Sequence, residues 1–396
     1  MFKKRGQGEG TISKRPDGSW WGRITIGVDK DGKQKRKAFY GKTRADVQKK
    51  ITAALNDINM GSYVNTPNVT LGSWLDTWFN EYAANSVKHS TKVSYDGIIN
   101  KHIKPHLGRM KLTDIRPDNI QKFYNDKLEN GRVDGEGGLS PKTIKNIHNM
   151  LHKALQQALE NGLINKNPSD FVSTPKITKK EMRVLSPEEH LKIVEASYGD
   201  KFGLIVRLGL ETGMRLGELA ALQWQDVDFA DCSLSVNRNL NRLKNYDANI
   251  KSKTVIVLGE PKTKNSKRSI PLSDKMLNEF KDVQLKQAEA KQTWAEGYKE
   301  QGFIFASEFG DCIEPRTFQD AFKRILKDAD IKDANFHALR HTFATRALEA
   351  GIPAKIVSEI LGHSSVNITL DLYSHVSLDT KREAIKRINA YVASQA

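Results

Sequence analysis

The sequence predicts a multidomain α+β protein with three regions. The first is a small three-stranded β-sheet with one helix, the second is all-α, and the third is mostly α-helical with a small antiparallel sheet. Three observations support this fold class: short β-rich runs joined by Asp-Gly turns near the N-terminus, helical periodicity from residue 69 onward, and polar, Pro-containing stretches between the regions. A chain of 396 residues is long enough for two or three domains with substantial cores.

The first region, residues 1–63, contains two hairpin signals followed by a helical pattern. Turns at Asp17-Gly18 and Asp31-Gly32 separate three runs that are rich in β-forming residues. Apolar residues then recur at helical spacing between residues 43 and 58. We therefore expect three strands backed by one helix, followed by a linker at residues 64–68.

The second region, residues 69–172, shows helical periodicity throughout. Its first helix carries a stripe that begins with Leu71 and Trp74, which we assign to the core rather than to a binding surface. A long helix opens at Ser140, where Pro at the next position suits the first helical turn. A charged, Pro-flanked linker is expected at residues 173–182.

The third region, residues 183–396, opens with a helix start signal. Ser186 and Glu189 form a capping box with Pro between them at the first helical position. The remainder is mostly helical, and it ends in a tail with apolar residues at helical spacing between residues 378 and 392. Strands are expected at three places: residues 233–240, 254–258 and 268–272.

The charge balance points to a polyanionic partner. The chain has a formal net charge of +16, and residues 1–68 hold 15 Lys and Arg against 6 Asp and Glu, a net of +9. Nucleic acid is the commonest partner of such a block, and a solvated basic face is the alternative. No apolar run of about 18 residues predicts a membrane span, and no secretory signal is present. With only two Cys residues, the sequence predicts a cytoplasmic protein without disulfides.

Candidate DNA contacts lie on the predicted sheet and on the long helix of the second region. Strands can enter the major groove of DNA, and basic side chains can meet its phosphates. A small basic domain with a protein partner is the alternative for the sheet. The candidates are Arg15, Trp20, Arg23, Lys35, Arg36, Lys37, Lys142 and Lys145.

Four clusters in the third region are rich in groups that suit a phosphodiester. Each has an ordinary explanation when it is taken alone: Arg215, for example, can pair with Glu218 on a helix. The clusters are residues 211–219, residues 261–272, residues 336–345, and Leu361-Gly362-His363 with the following Thr369 to Tyr373.

Together, the four clusters resemble the catalytic domain of the tyrosine recombinase (phage integrase) family over residues 183–392. The motifs T-G-M-R-L-G-E, H-A-L-R-H-T, L-G-H and T-L-D-L-Y occur in the family's order. The second region is similar to the family's helical core-binding domain, and the first to the arm-binding domain of integrases from phages and conjugative transposons. The resemblance implies catalytic roles for Arg215, Lys262, His337, Arg340, His363 and the nucleophile Tyr373, with Glu218 orienting its neighbours. Lys264 and Lys267 remain alternatives to Lys262.

The residue types suit cleavage of DNA by a tyrosine. A Tyr hydroxyl, with an ordinary pKa of about 10, must lose its proton during attack. Guanidinium pairs stabilise charge on the non-bridging phosphate oxygens, and a Lys ammonium can protonate the departing 5′-oxygen. We expect no metal, because the sequence has no carboxylate cluster or metal-type Cys/His spacing. We expect no cofactor, because a 3′-phosphotyrosine conserves the bond energy.

The predicted function is a site-specific DNA recombinase that integrates and excises a mobile element. Its partner is double-stranded DNA at core crossover sites and arm-type sites. By resemblance, the tail assembles a homotetramer on DNA, and an excision-directionality factor and a DNA-bending host protein assist. The rivals are a chromosome or plasmid dimer resolvase, a type IB topoisomerase, and a DNA-binding regulator with an inactive catalytic domain. The basic residues 1–68 disfavour the first rival, and the complete set of competent catalytic residues disfavours the last.

Overall fold

The computed structural model describes residues 10–28, 32–59, 69–178, 182–246, 252–260, 267–372 and 378–394. The chain divides into two compact units, Met1–Thr178 and Lys179–Ala396. Within the described residues, no helix is both long and apolar enough to cross a membrane.

The first unit begins with the predicted three-stranded sheet. Its strands are antiparallel in the order β1-β2-β3, and helix α1 packs on one face around Ile24, Val47 and Ile51. Gly22 permits this packing, since a Cβ there would lie 2.6 Å from the Ile51 Cδ1 atom. The elements are β1 (Thr11–Lys14), β2 (Trp20–Val28), β3 (Gln34–Gly41) and α1 (Arg44–Asn59).

The rest of the first unit is helical and has a hydrophobic cluster of its own. The predicted stripe is buried: Leu71 is fully covered and Trp74 donates its indole N–H to the Ala154 carbonyl at 2.8 Å. The Ser140 hydroxyl accepts from the Thr143 N–H and so begins the long helix as predicted. The α-helices are α2 (Leu71–Thr77), α3 (His89–Gly97), α4 (Lys104–Leu107), α5 (Pro117–Asn130) and α6 (Pro141–Glu160); π-helical turns Trp78–Ala83 and Ile98–Ile103 extend α2 and join α3 to α4.

The division between residues 1–63 and 69–172 stays a prediction, and two separate hydrophobic clusters are in keeping with it. The linker at 64–68 lies outside the described residues. The second predicted linker, 173–182, is described only in part.

The second unit is mostly helical, with small antiparallel sheets. The Ser186 capping box is present: its hydroxyl accepts from the Glu189 N–H at 3.1 Å, and the Glu189 carboxylate accepts from the Ser186 N–H at 2.8 Å. The helices are α7 (Pro187–Ser197), α8 (Gly203–Thr212), α9 (Leu216–Ala220), α10 (Asp274–Trp294), α11 (Pro315–Asp328), α12 (His337–Glu349), α13 (Ala354–Leu361), α14 (Val366–Leu372) and α15 (Leu378–Ala393).

The strands of this unit differ from the prediction at two points, and one of them is the short β4 at Val227–Asp228, which was not expected. The expected strand at 233–240 is two strands, because the chain leaves one sheet after Val236 and enters another at Asn239. One sheet has the order β4-β5-β8 and the other pairs β6 with β7. The strands are β4 (Val227–Asp228), β5 (Ser233–Val236), β6 (Asn239–Lys244), β7 (Thr254–Gly259) and β8 (Arg268–Pro271).

Candidate active site

A glycine turn after α8 positions the first cluster. Gly213 ends α8 with φ = 62°, a left-handed conformation that favours glycine. A Cβ at this position would lie 2.6 Å from Leu361 Cδ2 and 2.7 Å from Phe343 Cδ1. The turn therefore packs directly against α12 and the end of α13, and it places Arg215 two residues later.

Arg215 is held from one side and open on the other. It stands at the N-cap of α9, where its backbone N–H donates to Glu218 Oε2 at 3.1 Å. Its Nη1 donates to Glu218 Oε1 at 2.8 Å, and 36% of the side chain is exposed. The guanidinium is thus oriented by a carboxylate while part of it can meet a ligand from solvent.

Arg340 is buried on α12 and joins two of the clusters. Its Nη1 donates to the Gly213 carbonyl at 2.9 Å and its Nη2 to the Leu361 carbonyl at 2.8 Å. Burial, together with the nearby charge of Arg215, lowers its pKa to about 9. The group is still protonated at neutral pH, so two guanidinium charges stand in one site.

Glu218 is buried and shared by two arginines. Its Oε2 also accepts from Arg268 Nη2 at 3.0 Å, and the Arg268 Nε donates to the Ile360 carbonyl. Burial opposes ionisation of Glu218, but the charges of Arg268 and then Arg215 outweigh it, so its pKa lies below its ordinary value.

Arg268 is the residue that sequence reasoning missed. It lies inside the second cluster, where the sequence analysis assigned a lysine as the general acid and gave the arginine no role. A signal was available, because Arg268 shares strand parity with the buried Ile270 and must point into the domain.

Two histidines flank the buried arginine on α12. The rings of His337 and His341 meet edge to face with centroids 4.5 Å apart. Desolvation by the surrounding protein and the charges of Arg340 and Arg215 lower the pKa of His337. His337 is nevertheless exposed to solvent, so a neutral imidazole is available at the surface of the site.

His363 follows the left-handed Gly362 that ends α13. Its Nδ1 lies 2.8 Å from the hydroxyl of the fully buried Thr369 on α14. Burial, with the charges of Arg340 and Arg215, lowers the pKa of His363 to about 4. The ring is therefore neutral at pH 7, and Thr369 occupies one of its two nitrogens.

The structure thus brings together five of the predicted site residues. Direct contacts join Arg215 to Glu218, while charge interactions link Arg340, His337 and His363 to Arg215. Lys262, the alternative Lys264 and the nucleophile Tyr373 lie outside the described residues. The alternative Lys267 is described: it is half-exposed and pairs with Glu260 at 3.1 Å.

Among the residues that the structure describes, no group of three or more His, Cys, Asp or Glu side chains could hold a metal ion. The polar groups around Glu218 are cationic and suit an anion such as a phosphodiester.

The candidate DNA contacts divide between the two faces of the N-terminal sheet. Arg23 and Arg36 lie exposed on the face opposite α1, where Arg23 stands 5.8 Å from the Trp21 ring. Arg15 is exposed too, 5.6 Å from the Tyr40 ring.

Trp20 has a different position from the one that we expected of a DNA contact. It packs against the hydrophobic cluster between the sheet and α1, on the same face as Ile24, whereas Trp21 lies on the face opposite α1. The parity of Trp20 with Ile24 and Ile26 is the signal that could have distinguished the two tryptophans.

The remaining candidates differ in exposure. Lys37 is half-buried on the α1 side and Lys35 is exposed beyond the bulge between Thr25 and Gly27. On α6, Lys142 is exposed, whereas Lys145 donates to the Thr174 hydroxyl at 3.4 Å.

Comparison with known proteins gives consistent matches across the chain. Residues 177–379 match the phage integrase family, and residues 70–128 match the N-terminal SAM-like domain of phage integrases. A tyrosine recombinase XerC-like protein from Caldanaerobacter subterraneus subsp. tengcongensis is 36% identical over 378 residues, covering 92% of this chain and 94% of that protein. The ICEBs1 integrase of Bacillus subtilis is 27% identical over 74% of this chain and 75% of its own length.

A solved structure supports the same relationship. The Tn1549 transposon integrase, residues 82–397 bound to transposon right-end DNA, aligns with a TM-score of 0.64 and 26% identity. The alignment covers 81% of this chain and 99% of that one.

Proposed function

The chain belongs to the phage integrase family of tyrosine recombinases, enzymes that cut and rejoin DNA, and on this premise we propose how its residues share the reaction. It acts as a site-specific recombinase that integrates and excises a mobile element. The observation that carries the proposal is the convergence of Arg215 and Arg340: their segments lie 125 positions apart in sequence, yet Arg340 donates to the carbonyl of Gly213 in the turn before Arg215.

In the proposed cleavage step, the Tyr373 hydroxyl oxygen attacks the scissile phosphorus. A bond forms between phosphorus and the tyrosine oxygen, and the bond from phosphorus to the 5′-oxygen breaks. Arg215 and Arg340 balance the charge that gathers on the non-bridging oxygens. Lys262 gives a proton to the departing 5′-oxygen. The Tyr373 hydroxyl proton passes either to His337, which assists at the nucleophile, or to water, in which case His337 hydrogen-bonds the phosphate.

His363 hydrogen-bonds a phosphate oxygen through the nitrogen that Thr369 leaves open. The 5′-hydroxyl of a partner strand then attacks the 3′-phosphotyrosine, and the bond from phosphorus to the tyrosine oxygen breaks. The attacking hydroxyl gives its proton to Lys262, and the tyrosine takes back a proton from the group that had accepted it. The new bond between the two DNA strands forms without an external energy source, because each step exchanges one phosphodiester for another.

For the DNA contacts, we propose that residues 1–63 hold an arm-type site, while residues 69–172 and 183–396 clamp the crossover site. The exposed Arg23, Arg36 and Arg15 on the sheet support this division. Connecting two sites through one chain raises their effective concentration, which suits synapsis.

For assembly, we propose that α15 docks on a neighbouring subunit to form a tetramer on DNA. Ile385, Ile388 and Val392 are spaced at helical intervals and more than half of each is exposed. Docking of α15 on its own domain is the alternative. Native mass spectrometry of the chain on DNA, with Ile388→Asp as the variant, distinguishes the two.

The test of the reaction is covalent capture. The full chain is incubated with a library of nicked duplexes of randomised sequence, in which cleavage releases a short 5′-hydroxyl strand and prevents religation. We expect a denaturant-stable protein–DNA adduct whose recovered DNA defines a consensus site. Tyr373→Phe should bind that site without forming the adduct, and an adduct from this variant would assign the nucleophile elsewhere.

Two further measurements separate the alternatives. Removal of residues 1–68 should impair recombination of two duplexes and leave cleavage of the nicked site, whereas loss of all cleavage would contradict the proposed division. Relaxation of supercoiled plasmid with no joining of two duplexes would favour a topoisomerase.

A further inference from the structure

We propose that Arg268 is a positioning residue for DNA cleavage: it shares the Glu218 carboxylate with Arg215 and so keeps the Arg215 guanidinium available to the scissile phosphate. The inference rests on the proposed function of Arg215. It adds a residue that the catalytic set does not contain.

The geometry of the carboxylate supports this role. Glu218 bridges the two arginines: Oε1 accepts from Arg215 Nη1 at 2.8 Å, and Oε2 accepts from Arg268 Nη2 at 3.0 Å and from the Arg215 backbone N–H at 3.1 Å. A carboxylate with a single guanidinium partner can bind it with both oxygens. Here Arg268 Nη2 and the Arg215 backbone N–H share Oε2, and the Arg215 guanidinium binds the carboxylate through Oε1.

Arg268 is itself fixed, since its Nε donates to the Ile360 carbonyl and its side chain is only 6% exposed. Ile360 immediately precedes Leu361, whose carbonyl accepts from Arg340. One guanidinium therefore ties β8 and α9 to the end of α13, where the L-G-H motif begins.

Stability alone does not require an arginine at this place. A buried ion pair is often replaceable by apolar side chains of similar volume without loss of stability. The charge balance gives the arginine a purpose: among the described residues, the guanidiniums of Arg215, Arg268 and Arg340 surround the carboxylate of Glu218, and these four groups carry a formal charge of +2. Without Arg268 the balance is +1, and Glu218 neutralises Arg215.

The ionisation of Glu218 gives the role a distinct signature. In the described part of the chain, the charged groups that face Glu218 are Arg215 on the α9 N-cap, Arg268 on β8 and Arg340 on α12. The charge of Arg268 is the largest influence that lowers the Glu218 pKa against the effect of burial. Removing Arg268 therefore raises the Glu218 pKa. The acid limb of cleavage, the low-pH side of the profile of cleavage rate against pH, then moves to higher pH.

The experiment is a double-mutant cycle on the full chain, using the nicked duplex recovered by covalent capture. We measure single-turnover adduct formation with saturating protein, across pH, for Arg268→Met, Glu218→Gln and the double variant. Arg268→Met should slow adduct formation by about 10- to 100-fold, by analogy with the loss typical when a hydrogen-bond partner of a metal-ligating side chain is removed. The Kd for the duplex should be unchanged, and the acid limb should shift upward.

The double variant tests whether Arg268 acts through Glu218. We expect it to be no slower than Glu218→Gln alone, because the carboxylate that Arg268 restrains is gone. The matched control is Arg207→Met, which removes an arginine from its pair with Glu279 in the same unit. This control should keep the wild-type rate and acid limb.

Three outcomes overturn the inference: a wild-type rate in Arg268→Met, an unshifted acid limb, or multiplicative losses in the double variant. If Arg268→Met fails to fold, the comparison of the double variant, which removes both charges, with Glu218→Gln decides whether the inference stands. Failure of the wild-type chain to form the Tyr373 adduct would instead refute the proposed function. The two failures are therefore distinguishable.

Discussion

Gly213→Ala should destabilise the second unit more than an ordinary glycine substitution does. The left-handed backbone, with φ = 62°, costs an alanine about 1–2 kcal/mol. The new Cβ would also lie 2.6 Å from Leu361 Cδ2 and 2.7 Å from Phe343 Cδ1, whereas carbon contacts are favourable at about 3.5–4.0 Å. Such overpacking typically adds about 1–3 kcal/mol. The sum is about 2–5 kcal/mol in the free energy of unfolding.

Gly302→Ala is the matched control for this prediction. Gly302 has a similar φ of 71° and lies in the same unit, and a Cβ there would have no atom within 4 Å apart from those of its chain neighbours. Only the backbone cost of about 1–2 kcal/mol applies there. Urea unfolding of the full chain, followed by circular dichroism, measures both variants against the wild type.

The substitution should also affect catalysis beyond its effect on stability. The Gly213 carbonyl accepts from Arg340 Nη1 at 2.9 Å, and Arg215 follows two residues later. A displaced turn separates the two guanidiniums, so adduct formation should slow at a temperature where the protein is fully folded. Equal destabilisation by Gly213→Ala and Gly302→Ala, with wild-type cleavage in both, would refute the reasoning.

Three other predictions concern separate contacts. Thr369→Val removes the hydroxyl that binds His363 at 2.8 Å and should slow cleavage, while Thr369→Ser should retain the wild-type rate; equal rates of adduct formation for the two variants would argue against a role for this hydrogen bond. Trp21→Ala should weaken binding of the arm-type DNA site with little change in the melting temperature, whereas Trp20→Ala should lower the melting temperature because Trp20 packs on α1. The reverse pattern in thermal melts and DNA titrations would show that DNA does not bind the sheet face opposite α1. Burial, with neighbouring cationic groups, lowers the pKa of His341 and of His363 to about 4. The unfolded chain therefore binds more protons than the folded chain between pH 4 and the ordinary pKa of 6.5, and the free energy of unfolding should fall as the pH decreases through this window. A urea midpoint that stays constant from neutral pH to about pH 4 would contradict this prediction.

Features encoded at short range in the sequence were predictable. The Ser186 capping box depends on residues three positions apart, and the first hairpin of the first region depends on the Asp17-Gly18 turn. The core stripe of α2 follows from helical spacing, and Leu71 and Trp74 are buried as predicted. The expected strand at 233–240 was wrong as one element because its two halves pair with different partners, β8 and β7, which local composition does not specify.

The sequence by itself determined the class of chemistry. Four motifs in order, with Arg215, Arg340 and Tyr373 among them, indicated DNA cleavage by a tyrosine, and the family match supports that interpretation. The motifs indicated this reaction through their joint resemblance to that family, and the residue types agree with it because a phosphodiester restricts which groups can act on it.

Only the tertiary structure decided how those groups support each other. The sharing of Glu218 with Arg268, 50 positions away, and the contact of Gly213 with Leu361 arise from packing of distant segments. The hydrogen bond between Thr369 and His363 also arises from such packing, because it depends on the angle between α13 and α14. Such contacts depend on which elements meet in the folded core, and neither periodicity nor turn chemistry along the chain specifies that.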